Sequence, residues 1–284
     1  MIHLTYQLQV AGSMPDAKLV TYIQDHSEGM AIQKRPLVLI CPGGGYSRTS
    51  DREAESIALQ FLAMGYHAAV LRYSCAPAKF PTALLELASA LVLVRGNAEE
   101  WHVDADKIIV QGCSAGGHLA ASLGMLWDED FLADGIGLEG PDRELLRPNG
   151  MILCYPVITS GEFAHKDSFE NLLGYAVERS ELARKEILME KLSLENQVSE
   201  KTPTTFIWHT FEDQTVPVEN SLLLVSALRK HGIPTEFHMY SKGEHGLALA
   251  NHLTESNDGR ALQQECTSWI NLAHTWMEST FGEN

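Results

Sequence analysis

No stretch of this 284-residue chain approaches the about eighteen consecutive apolar residues that a membrane-spanning helix needs. Basic residues are scarce: 21 Lys and Arg stand against 37 Asp and Glu, a formal net charge of -16 at pH 7. That balance argues against nucleic acid or an anionic membrane surface as a partner. Cysteine is sparse too. Cys41, Cys75, Cys113, Cys154 and Cys266 are odd in number, widely spread and without metal-ligand spacing. They read as small buried residues in a reducing compartment rather than as a disulfide framework. No basic segment leads into an apolar one near Met1, so no signal peptide is expected and the chain reads as cytoplasmic. Internal repeats and low-complexity tracts are also missing. What remains, 45% hydrophobic and 20% charged residues, is ordinary globular composition. The length suits one large domain over residues 1–284.

Apolar runs alternate with helical patterns along most of the chain. Residues 2–8 and 18–23 read as short strands joined by a turn at Gly12-Ser13-Met14-Pro15. The run Pro36-Leu37-Val38-Leu39-Ile40-Cys41 is apolar enough for a strand buried on both faces, and it breaks at Pro42-Gly43-Gly44-Gly45-Tyr46. Asp51 is placed to cap a helix carrying Ala54, Ile57, Ala58, Phe61 and Leu62, which Gly65 ends. Further strands are expected at 67–73, 107–111, 150–155, 204–208 and 235–240, and further helices at 82–97, 115–126, 218–231 and 262–281. The last helix should bury Leu262, Cys266, Trp269, Ile270, Ala273 and Trp276. This alternation predicts an α/β fold with an eight-stranded, mostly parallel sheet and right-handed crossovers. Two segments interrupt it. Residues 127–148 are acidic and broken by Gly and Pro, and 158–201 are charged with helical pieces around 169–175 and 178–191. Both are expected as lid-like insertions over the carboxyl ends of the strands, where open α/β sheets place their ligands.

The chemistry gathers around Ile108-Ile109-Val110-Gln111-Gly112-Cys113-Ser114-Ala115-Gly116-Gly117-His118. A β-branched run ends at Gly112 and a small-residue helix begins after Ser114, so Gly-x-Ser-x-Gly stands at a strand-to-helix corner. A nucleophile on so tight a turn needs glycine two residues to either side, and its hydroxyl is lifted above the sheet edge. Ser114 needs a base within hydrogen-bond reach. His245, in the loop leaving the last strand, is the candidate; His209 ends a strand and is the rival, while His118 sits on the serine's own helix. An orienting carboxylate must follow, and of Glu212 and Asp213 after the penultimate strand Asp213 is chosen. Ser114, Asp213, His245 is the chain order for this kind of fold. An oxyanion would be met by the N–H groups of Gly44, Gly45 and Ala115. Tyr46, Tyr155 and His209 are candidates to line the substrate pocket.

With those residues in hand, the chain resembles α/β-hydrolases of the carboxylesterase type, close to the hormone-sensitive-lipase-like group and most similar to bacterial acetyl esterase or acetylxylan-esterase-like proteins. Pro42-Gly43-Gly44-Gly45-Tyr46 resembles that group's His-Gly-Gly-Gly-aromatic loop, with proline in place of the histidine. Leu71-Arg72-Tyr73, Trp101-His102-Val103-Asp104, Gly117-His118-Leu119-Ala120, Asn171-Leu172-Leu173-Gly174, Val216-Pro217 and the run 208–220 carry the rest of the likeness. The resemblance implies a serine esterase acting on short-chain, chiefly acetyl, esters of sugars or small alcohols through an acyl-enzyme. It implies a small-molecule ester as partner, an acetylated sugar among them, and no cofactor and no metal; an oligomer is left open. A serine peptidase of the same fold and an inactive hydrolase-fold binding protein are the alternatives.

Overall fold

Eight strands form one sheet: β1 (Thr5–Gln7), β2 (Lys18–Tyr22), β3 (Arg35–Cys41), β4 (His67–Arg72), β5 (Val103–Cys113), β6 (Gly150–Cys154), β7 (Thr204–Thr210) and β8 (Thr235–Tyr240). Their spatial order is β1-β2-β4-β3-β5-β6-β7-β8. Only β2 runs against the rest, antiparallel to both of its neighbours β1 and β4. This computed structural model describes residues 1–174 and 179–282. The pairing in register, Leu39 opposite Ala69 on one side and Val110 on the other, follows from the period of two in the apolar runs. Leu37 and Leu39 of β3 and Ile108 and Val110 of β5 bury into one face. There they meet α2 (Thr82–Gly96), α3 (Ala115–Leu126) and α7 (Glu219–Lys230). Val38, Ile40 and Ile109 turn to the other face, against α1 (Glu55–Ala63) and α8 (Trp269–Phe281). Each such side chain contributes roughly 1.5–3 kcal/mol by leaving water. A strand buried on both faces has no polar side to show, which is why β3 reads as a continuous apolar run.

Several expectations need correction. Asp51 does not cap α1. It opens a 3-10 turn (Asp51–Glu53), and its carboxylate pairs instead with Arg72 Nη2 at 2.8 Å. Leu262 lies outside α8 and is exposed, because a second 3-10 turn (Gln264–Ser268) precedes the helix. Cys266, Trp269, Ile270, Ala273 and Trp276 are buried as expected. Segment 127–148 leaves the carboxyl end of α3 rather than of a strand. It carries α4 (Asp130–Ile136), whose Phe131 meets Phe80 and whose Gly135 abuts Leu85 of α2. None of its described residues lines the cleft above Ser114. Segment 158–201 does reach that cleft and contains α5 (Lys166–Leu173) and α6 (Arg179–Lys191). Tyr175 and Glu178, expected at the ends of its helical pieces, lie outside the described residues.

Candidate active site

The carboxyl ends of β3, β5, β7 and β8 converge on one sheet edge, and each delivers one part of the site. At the end of β5 the chain turns into α3 through Ser114, whose φ of 54 and ψ of -119 are costly for a residue with a side chain. Glycine makes the turn possible. A Cβ on Gly112 would stand 2.1 Å from the Gly116 carbonyl oxygen, and one on Gly116 would stand 2.0 Å from that of Cys41. Hydrogen bonds over-determine the strained conformation: Ser114 N–H donates to Cys154 O at 2.9 Å, and Ser114 O accepts from Val157 N–H at 3.1 Å.

Ser114 Oγ lies 2.7 Å from His245 Nε2, and His245 Nδ1 lies 2.6 Å from Asp213 Oδ2. Asp213 is buried. Burial alone would raise its pKa, but hydrogen bonding from His209 and His245 outweighs that and holds the carboxyl well below its usual range. Its second oxygen accepts from the N–H groups of Thr215 and Val216, both at 2.9 Å. An ionised Asp213 fixes the imidazole proton on Nδ1, so Nε2 is left to accept from the serine hydroxyl. The three residues lie in sequence order on three different loops, and the structure brings them into one hydrogen-bonded line.

The Pro42–Gly45 loop after β3 can be accounted for group by group. Pro42 O accepts from the Tyr73 hydroxyl at 2.7 Å, and Gly43 N–H donates to Glu53 Oε2 at 2.9 Å. Gly43 O accepts from Ser50 N–H, Gly44 O from the Ser47 hydroxyl, and Gly45 O from Asn171 Nδ2 at 2.8 Å. The N–H groups of Gly44 and Gly45 have no partner among the described residues, and neither has that of Ala115 at the start of α3. Gly44 and Gly45 have φ of 129 and 63, accessible to glycine, and both line the cleft with Ser114. Unpaired donors beside a serine hydroxyl form an arrangement that could receive an oxyanion.

Tyr46, Tyr155 and His209 do not line that cleft; all three are buried behind it. The Tyr46 hydroxyl donates to His118 Nδ1 at 2.9 Å, fixed by the donation of His118 Nε2–H to Leu192 O. His209 donates from Nε2 to Val216 O at 2.9 Å, with Asp213 Oδ2 at 3.3 Å, and accepts from Ser221. Both of its nitrogens are thus engaged away from Ser114. The Tyr155 ring stands edge-on to His245 with centroids 5.1 Å apart. The cleft, of about 330 Å³, is lined instead by Ser47, Arg48, Ser50, Arg52, Glu53, His165, Asp167, Asn171 and Thr215, around Ser114 and His245. Sequence reasoning missed these. Asn171 stands in the Asn171-Leu172-Leu173-Gly174 stretch, and Arg52-Glu53 follows Asp51 beyond the glycine loop, but nothing in their spacing says which way they face.

A parallel sheet with a strained serine between strand and helix, a histidine after the last strand and a carboxylate after the one before it defines an α/β-hydrolase. The chain belongs to the BD-FAE family, which matches residues 26–228. It is 38% identical over 226 residues to endo-1,4-beta-xylanase B of Butyrivibrio fibrisolvens, covering 77% of this chain and 33% of that protein. It is 26% identical over 281 residues to an acetylxylan esterase of Xylanibacter ruminicola, covering 95% of this chain and 52% of that protein. The chain thus spans from a third to about half of the length of these curated relatives. Among solved structures, an acetyl ester-xyloside bifunctional hydrolase from Caldicellulosiruptor lactoaceticus superposes with a TM-score of 0.79 at 38% identity, covering 94% of this chain and 89% of that one. A carboxylesterase from Lactobacillus plantarum gives a TM-score of 0.79 at 26% identity over the whole of both chains. No helix among the described residues is long and apolar enough to cross a membrane.

Proposed function

We propose that the protein is a serine esterase that hydrolyses short-chain carboxylic esters, chiefly acetyl esters of sugars, in the way its acetylxylan esterase relative is named for. The observation that carries this reading is the unbroken line from Ser114 Oγ through His245 to Asp213, opening into a cleft with no large apolar side chain on its walls among the described residues. In this mechanism Ser114 attacks the ester carbonyl while His245 Nε2 takes its proton. Asp213 stabilises the resulting imidazolium, and the N–H groups of Gly44, Gly45 and Ala115 receive the oxyanion. His245 then protonates the departing alcohol, and a water molecule attacks the acyl-enzyme by the same route. Polar walls match a hydroxylated alcohol and offer a long acyl chain no apolar surface to cover.

The test is a p-nitrophenyl ester series from acetate to octanoate, run beside peracetylated xylose and the Ser114→Ala variant. Rates that fall steeply beyond butyrate, include the sugar acetate and drop by roughly 10⁴-fold or more in Ser114→Ala are expected. Preference for octanoate would overturn the substrate class, and full activity in Ser114→Ala would overturn the site.

A further inference from the structure

We infer that Glu53 is a positioning residue whose buried carboxylate ties the oxyanion loop to the loop carrying His245, so that both are set relative to Ser114 by one side chain. This rests on reading Ser114, His245 and Asp213 as the catalytic line. Glu53 is 4% exposed, and no cation pairs with it among the described residues. A buried carboxylate without a counter-charge is expensive unless each oxygen is hydrogen-bonded, and here each oxygen has one donor. Oε2 accepts from Gly43 N–H at 2.9 Å, and Oε1 accepts from the Tyr155 hydroxyl at 2.7 Å. The same tyrosine oxygen accepts from Ala248 N–H at 2.9 Å, three residues beyond His245, while the ring stands against the imidazole. A Cβ on Gly43 would meet Glu53 Oε2 at 2.7 Å and Ser114 Cβ at 3.0 Å, so the loop is wedged between the carboxylate and the nucleophile.

The preceding residue does the complementary work. Arg52 donates from Nη2 to Gly246 O at 3.0 Å and from Nε to Thr254 O at 2.6 Å. Consecutive side chains of the Asp51–Glu53 turn therefore hold the segment that follows His245, Arg52 directly at Gly246 and Thr254 and Glu53 through Tyr155 at Ala248. The other partners of the glycine loop (Tyr73, Ser50, Ser47 and Asn171) hold the loop alone. Glu53 joins it to the base. Pro42, where similar loops carry histidine, has neither a side-chain donor nor an N–H to contribute, and the carboxylate supplies the constraint from across the turn.

The experiment compares wild type with Glu53→Gln, Tyr155→Phe and the double variant, using p-nitrophenyl acetate and a methyl trifluoromethyl ketone. The ketone adds Ser114 Oγ to its carbonyl carbon, its π electrons become an oxyanion, and His245 takes the serine proton. Active sites are titrated with a phosphonate, so that lost folded protein is not counted as lost rate. Glu53→Gln keeps the shape but cannot accept both donors, and Tyr155→Phe keeps the ring on His245. Each should lower kcat per titrated site by ~10- to 100-fold with KM moved only a few-fold, and raise the ketone Ki by a similar factor. The double variant should lose less than the product of the two, because both cut one chain of hydrogen bonds. Glu55→Gln, an exposed carboxylate two residues on that meets Tyr22, should leave every parameter unchanged. Wild-type kcat and Ki in either Glu53→Gln or Tyr155→Phe, with Ser114→Ala inactive, would overturn the inference alone. An active Ser114→Ala would overturn the catalytic reading beneath it.

Discussion

Two histidines stand beside Asp213, and their hydrogen bonds separate their roles. His209 spends its Nε2 proton on Val216 O and its Nδ1 lone pair on Ser221, so it has nothing left to take a proton from a serine. His245 turns its free nitrogen to Ser114. Asp213→Asn should preserve the carbonyl oxygen that accepts from Thr215 and Val216 yet present an amide to Nδ1. The imidazole would then be driven to the wrong tautomer, and kcat for p-nitrophenyl acetate should fall by roughly 10⁴-fold. His209→Gln should cost less than ~10-fold in the same assay, because only the bracing of the carboxylate is weakened. An equal loss in the two variants would contradict the division of roles. At this scale the sequence pointed to Ser114, His245 and Asp213, which the fold joins by hydrogen bonds, since each follows a strand end whose position could be read. Glu53 and His165 could not be read. Their place in the cleft depends on how loops far apart in sequence fold back, and neither spacing nor residue type encodes that.

Strands and helices were legible where their periodicity was strong. The runs at β3 and β6 stand close to where they are expected because a residue buried on either face of a parallel sheet must be apolar. What misled were signals with two uses. Asp51 looks like a helix cap and is an ion-pair partner, and Leu262 shares the helical spacing of its neighbours yet precedes the helix on an exposed bend. Segment 127–148 is acidic and broken like a lid, but its apolar residues Leu132 and Ala133 belong to the core beside α2. The packing of α3 on the sheet gives the prediction that belongs here. Gly116→Ala must push α3 away from β3, because the new methyl would stand 2.0 Å from Cys41 O, and no flexible side chain is there to yield. Thermal unfolding should register a loss of roughly 1–3 kcal/mol or more, together with a fall in kcat as Ser114 moves. Gly96→Ala at the end of α2 meets nothing within 4 Å and should instead gain ~0.4–1 kcal/mol, by restricting the unfolded chain. Melting temperatures that move the same way for both would mean that close approach is not what selects glycine at the elbow.

The whole molecule carries a formal charge of -16, and its response to acid is shaped by the histidines it buries. Burial lowers the pKa of His118, wedged between Tyr46 and Leu192, from 6.5 to about 4. Burial likewise lowers that of His67, which accepts from Gln24 N–H, to about 4. In the unfolded chain both would take up a proton near pH 6.5; in the fold they refuse it until about pH 4. Across that window the unfolded state binds more protons, so stability is complete above 6.5 and falls as the pH drops. The fall amounts to roughly 1.4 kcal/mol per pH unit for each fully linked group. Glu86 works in the opposite sense, since burial raises its pKa and the fold gains from protonating it. Asp213, held low by its histidines, adds its own loss only as the pH falls past its unfolded value of 3.8. The total slope is therefore a sum, but the difference between wild type and His118→Asn isolates one member. Urea unfolding at pH 7, 6 and 5 should show wild type losing stability faster with acid than His118→Asn, by up to roughly 1.4 kcal/mol per pH unit. The variant should be the less stable of the two at pH 7, because Tyr46 and Leu192 lose their partner. Parallel lines would mean that His118 is protonated as readily inside the fold as outside it. The proton would then have to be accommodated with the Tyr46 hydroxyl turned to accept from Nδ1, leaving its own proton to find a new partner.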